Sequence, residues 1–322
     1  MVSTNTFRPP PFRAVYVGDV PQRKRTLVGR YDGKSLSWAA MLGYLRNRIH
    51  LGIGLLAASS PPAFSLEAFL QSLGGGNSPS TFTAQYHQTH IKRFEETIRL
   101  IGAAQRGRRV LEIGATDLFQ LALAANFGFG EVWGTVFSDD PEEKLHSRTV
   151  TAAGHSVTVT TVSLDIESEL FPVTAGYFDL ILYCEVLEHM DIDPMFALTE
   201  FNRILPVGGQ LILTTPNCCS ARNTWKILQG YRPHFYMQYE KSRTPYRHNF
   251  EYDVHAAKQL VEAAGFHVDR LYTQDVFEEP VPEALDFLKR NHLSLDHRGD
   301  DIFILATKAG PVVDRWPYGM YV

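Results

Sequence analysis

Three side chains able to take a proton or meet a ligand, Glu185, Glu188 and His189, follow an apolar run in FDLILYCEVLEHM, residues 178 to 190. Their i, i+3, i+4 spacing puts them on one face if a helix starts where the strand FDLILY stops. Polar groups would then gather at a strand's carboxyl end, which in an open α/β sheet is where ligands bind. A further imidazole, His248, lies later in RHNFEY. The other feature with chemical meaning is VLEIGATD, residues 110 to 117. A glycine directly after a strand and before a helix turns the backbone tightly and brings main-chain N–H groups near a ligand, and Gly114 fills that place. Thr116 and Leu118 stand where G-x-G-x-x-G would have further glycines, so a dinucleotide pyrophosphate has a poor landing site.

The elements that must hold these groups alternate. RVLEI, EVWGTV, SVTVTTVSL, FDLILYC and QLILTT read as strands, and TDLFQLALAANFG and DPMFALTEFNRIL as helices; later come the helix VHAAKQLVEAAGF and the strands HVDRLYT and DIFILATK. Strands separated by helices predict an α/β fold with a doubly wound, mostly parallel, seven-stranded sheet. The helix FTAQYHQTHIKRFEETIRLIGAA leads into the first strand and can roof a nucleotide site. Its His87, His90 and Arg93 read either as solvated helix polars or as partners for a ligand carboxylate. Ahead of it, residues 1 to 80 read as a basic Pro- and Arg-rich arm and a helical extension, ending near the linker at Gly74 to Gly76, with the main domain at 81 to 322. An aromatic insertion at about 218 to 252 carries Trp225, Tyr231, Phe235, Tyr236, Tyr239 and Tyr246 among basic residues, suited to sugar rings, aromatic acceptors or phosphates, or to packing as a lid.

Composition narrows the partners. With 31 basic and 35 acidic residues the formal charge is -4, which supplies no global attraction for nucleic acid. Cys218 and Cys219 are adjacent and Cys184 sits in an apolar strand, so no disulfide framework is expected. Cys184 reads as a packed strand residue, and Cys218 and Cys219 could line a pocket but lack partners at zinc-site spacing. MVSTNTFRPPPFR has no apolar signal core, and the apolar stretch from Leu36 to Ala58 is broken by Arg46, Asn47, Arg48 and His50. A cytoplasmic protein without a membrane span is expected, acting on a small-molecule or glycan substrate, with a homo-oligomer left open.

Motif by motif, residues from about 85 to 308 resemble a class I S-adenosylmethionine-dependent methyltransferase. The resemblance implies a Rossmann-like methyltransferase fold and S-adenosyl-L-methionine as cofactor. It assigns Glu112, Gly114, Ala115 and Thr116 to the methionine half, and Val136 and Phe137 to the ribose side, where the nearest acids are Asp139 and Asp140. It assigns Asp165 and Ile166 in LDIESELFP to the adenine, and puts Cys184 at the cofactor's edge. NRILPVGGQLILTTPN and HNFEYDVHAAKQLVEAAGFHV resemble the later motifs. The single glycine of the first turn, E-V-L-E-H and H-N-F-E-Y resemble enzymes that O-methylate glycans or glycosides. E-x-x-E-H followed by H-x-F-E also resembles a metal site of small-RNA and ubiquinone-pathway O-methyltransferases. That likeness makes Glu185, Glu188, His189 and His248 ligands of Mg²⁺, Mn²⁺ or Zn²⁺, or else leaves Glu185, His189 and His248 as catalytic groups without metal. A catechol or quinone-type acceptor, and a non-catalytic protein of the same fold, are the other readings.

Overall fold

The computed structural model describes residues 81–103, 105–136, 144–152, 155–233 and 247–321. The expected arm, helical extension and linker, the boundary at residue 80, Phe137, Asp139, Asp140 and residues 234 to 246 of the aromatic insertion lie outside them.

Strand sequences that are apolar at nearly every position suit a sheet covered on both faces. The strands β1 (Arg109–Ile113), β2 (Glu131–Val136), β4 (His155–Ser163), β5 (Leu180–Cys184) and β6 (Gln210–Pro216) pair in parallel. The antiparallel strands β3 (Leu145–Ala152), β7 (Phe266–Gln274) and β8 (Asp301–Lys308) complete the order β3-β4-β2-β1-β5-β6-β8-β7. The fold is thus the expected Rossmann-like α/β class, with eight strands among the described residues instead of seven. The extra strand is β3, whose residues Leu145 to Ala152 pair back along β4 in place of a crossover helix.

Alternation across each strand divides the core in two. Leu111, Ile181, Tyr183, Leu211, Leu213 and Ile304 face a cluster shared with α3 (Pro194–Ile204) and α5 (Val254–Ala263). Val110, Leu180, Leu182, Ile212 and Phe303 face the other, shared with α1 (Thr81–Ile101) and α2 (Asp117–Ala122), the latter ending in a π-helical turn, Leu123–Phe127. Two short helices, α4 (Ala221–Leu228) and α6 (Pro282–Arg290), lie later in the chain. None of the described helices is long and apolar enough to cross a membrane.

Two glycines set the first turn. Gly114 has φ 68°, a left-handed conformation that side chains disfavour. At Gly134 in β2 an added Cβ would lie 2.4 Å from the Ala115 Cβ, so the turn after β1 can cross β2 only over a residue without a side chain.

Candidate active site

The chain leaves β5 through Glu185, whose φ of 54° is left-handed, and only then makes a single 3₁₀ turn, Leu187–His189. This corrects the helical-face expectation: a left-handed residue cannot begin a right-handed helix, so Glu185 does not share a helical face with Glu188 and His189. Segment 247–251 is then fastened onto the turn. The amides of Asn249 and Phe250 donate to the Glu188 carbonyl at 2.8 and 3.2 Å, and the Asn249 side-chain amide donates to the His189 carbonyl at 2.9 Å. These bonds carry His248 to His189, ring centroids 4.9 Å apart.

Glu188 is completely buried. Its Oε2 accepts from the Thr215 hydroxyl at 2.9 Å, whereas its Oε1, equally buried, accepts no hydrogen bond. That oxygen faces the Nε2 atoms of His189 and His248 at 3.8 and 4.0 Å, too far for hydrogen bonds. Both spacings lie within the ~4.2 Å spanned by two ligands about 2.1 Å from one ion. The three ligand atoms lie within 4.8 Å of one another. Each imidazole is oriented from behind. His189 Nδ1 is 3.0 Å from the Arg247 carbonyl, which can only accept, so Nδ1 carries the proton and Nε2 presents its lone pair. His248 Nδ1 is 2.9 Å from Oε1 of Glu251, itself buried. A carboxylate or carbonyl behind each histidine is the kind of partner that orients imidazoles where they bind metals. Burial, with the nearby charge of Glu185, holds the Glu188 carboxyl well above its usual range, and burial lowers the His189 imidazole to about 4.

Glu185 belongs to a different neighbourhood. Thr214 and Thr215 are adjacent on β6, so they point to opposite sides of the strand, and each serves one glutamate. The Thr214 hydroxyl donates to Glu185 Oε1 at 2.6 Å. Burial raises Glu185, opposed first by the charge of Arg93. Arg93 is itself buried at 3% exposure, which excludes the solvated reading of this helix position, although His90 remains its neighbour, accepting from Nε at 3.2 Å. Burial alone would lower the Arg93 guanidinium, but Tyr86 and Glu185 push it up. Buried Asp301 on β8 is a second acid acting on this cation, raised by its own burial and by Glu185.

Between α1 and the ends of β1 and β5 lies a cleft lined by Tyr86, Arg93, Glu112, Gly114, Thr116 and Cys184. Glu112 Oε1 accepts from the Thr116 amide at 3.3 Å, and the Gly114 and Ala115 amides donate to Thr135 at 2.9 and 2.8 Å. A buried guanidinium and a buried carboxyl facing one cleft suit a zwitterionic amino-acid group, one partner for each charge. Val136 closes β2 half-buried, and Asp165 follows β4, accepting from the Glu167 amide and the Ser168 hydroxyl, while Ile166 packs on the core. Burial pushes the Cys184 thiol up to about 12, so it is no nucleophile at neutral pH.

Thus the structure joins Glu188, His189 and His248 and places Glu185 outside them. Sequence reasoning missed Thr215, Glu251 and Asp301. The doublet Thr214–Thr215 and the i, i+3 spacing of His248 and Glu251 were the available signals.

Residues 86–271 match the family model for a methyltransferase domain. No curated sequence matches the chain. Among solved structures, an S-adenosylmethionine-dependent methyltransferase from Archaeoglobus fulgidus is 17% identical and has a TM-score of 0.46, covering 71% of this chain and 100% of its own. One from Thermotoga maritima, described as a possible histamine N-methyltransferase, is 18% identical over 76% of this chain and 99% of its own, with a TM-score of 0.42. A third, from Aquifex aeolicus, is 12% identical over 76% and 99%, with a TM-score of 0.40.

Proposed function

The chain belongs to the methyltransferase-domain family, and on that premise we propose that it moves the methyl group of S-adenosylmethionine onto a hydroxyl of a sugar or glycoconjugate, with a divalent cation at Glu188, His189 and His248. The observation that carries the cation is the buried Glu188 Oε1, which accepts no hydrogen bond and faces two imidazole nitrogens at 3.8 and 4.0 Å. Two imidazoles and one carboxylate favour Mn²⁺ or Zn²⁺ over Mg²⁺, which prefers oxygen ligands.

Methyl transfer from a sulfonium is an in-line displacement, so positioning supplies much of the acceleration. Arg93 and Glu112 would hold the carboxylate and ammonium of the cofactor's amino-acid end. A sugar hydroxyl is a weak acid, and a cation bound beside it would lower its pKa. Thr215, the Arg247 carbonyl and Glu251 each hold one of the three side chains by a hydrogen bond, and an acceptor with adjacent oxygens would be oriented by a cation among them.

A second reading rests on the 2.9 Å contact between His248 and Glu251. Without metal, Glu251 would orient His248 as a general base for the same hydroxyl. The test is methyl transfer from labelled S-adenosylmethionine to panels of glycosides and catechols, with EDTA and with Mn²⁺ restored. Loss in EDTA and recovery with Mn²⁺ supports the cation; activity indifferent to EDTA but lost in His248→Ala supports the base. Transfer to catechols alone, or to neither panel, refutes the proposed acceptor.

A further inference from the structure

Beyond that site, a second ligand cluster forms where β6 runs into α4. Cys218 and Cys219 are adjacent, with their sulfurs 3.8 Å apart. Asp253, distant in sequence, comes close enough that one ligand atom from each of the three lies within 4.8 Å of the others. It arrives there because the isolated bridge between Asn217 and Tyr252 and the 2.9 Å bond from the Cys218 amide to the Tyr252 carbonyl fasten segment 247–253 against the end of β6. Asp253 Oδ1 caps α5, accepting from the His255 and Ala256 amides at 2.8 and 3.0 Å. Spacing along the sequence gives no hint of this third ligand.

We propose that Cys218, Cys219 and Asp253 bind one thiophilic divalent cation of the zinc type, which clasps the β6–α4 turn to the segment that carries His248. Two sulfurs bound to a tetrahedral zinc at ~2.3 Å lie about 3.8 Å apart, the separation found here. The three residues are half-buried or exposed, so an ion can reach them from solvent. Binding requires each thiol to give a proton to solvent. The donor set of two sulfurs and one oxygen selects against Mn²⁺ and Mg²⁺, which separates this site from the one at Glu188.

The experiment is a Cd²⁺ titration of the reduced 322-residue chain, followed by the ultraviolet sulfur-to-metal charge-transfer absorption. The expected band saturates at one equivalent in the wild type and in a His189→Ala/His248→Ala variant, and weakens at least ~100-fold in affinity in Cys218→Ser and Cys219→Ser. In the His189→Ala/His248→Ala background, which removes the other cation site, Zn²⁺ at about 100 times its Kd should raise the Tm by about 4 °C, and adding Cys218→Ser should abolish that rise. The proposal is overturned if the wild type gives no band, if the band survives in both serine variants, or if thiol titration finds the pair already joined as a disulfide.

Discussion

Glu185 and Glu188 stand three residues apart after one strand, and each takes a hydroxyl from one of two adjacent threonines. Their surroundings differ in charge. Glu185 lies within the field of a buried guanidinium, Arg93, so its charge is met inside the protein. Glu188 is the more deeply buried of the two: its Oε1 faces two imidazoles that keep their distance, the charge of Glu185 raises it further, and Arg93, second among the influences on Glu185, is the weakest of those on Glu188. A buried carboxylate without a compensating charge is costly. The first glutamate therefore belongs to the protein's own charge balance, and the second leaves room for a cation from solution.

The widest gap between the two glutamates should appear in activity. Glu188→Gln should lower cation-dependent methyl transfer at least ~10⁴-fold, or about 5 kcal/mol, while leaving stability measured in EDTA unchanged or higher. If urea denaturation shows the variant clearly destabilised, Glu188 is a structural residue and the contrast collapses. On the other side, Arg93→Met strands Glu185 and Asp301 without their cation and should cost about 3–5 kcal/mol in the same assay. A loss below ~1 kcal/mol would mean that Glu185 is not balanced by Arg93.

Smaller changes sharpen the contrast. Glu251→Gln weakens the carboxylate behind His248 and should reduce Mn²⁺ affinity about 10–100-fold, read by calorimetry. An unchanged affinity would remove His248 from the ligand set. The mildest intervention varies only pH, in EDTA. Burial raises the folded-state pKa of Glu188 above its unfolded value, so its contribution is fully present below the unfolded pKa of about 4.3 and is lost as pH rises through the folded value. Stability relative to Glu188→Gln should therefore fall with rising pH, and Mn²⁺ should reverse the fall; a difference independent of pH would contradict it.

Much of this was legible in the sequence because parallel strands covered on both faces are written as short apolar runs, and RVLEI, LILYC and QLILTT are unmistakable ones. The strand β3 was not, since LHSRTVTA alternates polar residues at the edge of the sheet and occupies a place where a crossover helix is the rule. Glu188 and His189 could be picked out by type and spacing, and His248 through the resemblance of its segment to a known metal site. Their separation from Glu185 could not, because it depends on one left-handed backbone angle at a non-glycine residue. For Arg93 two readings stayed open, because helical periodicity gives a face but not the strand end that covers it. Asp253 and the cysteine pair meet only through the bridge between Asn217 and Tyr252, a contact that no local pattern encodes.

The most direct test is a calorimetric Mn²⁺ titration of three proteins: wild type, Glu185→Gln and Glu188→Gln. One ion per chain should bind to the first two and none to the third. Binding that survives in Glu188→Gln, or that disappears in Glu185→Gln, would show that the two glutamates do not divide their work in this way.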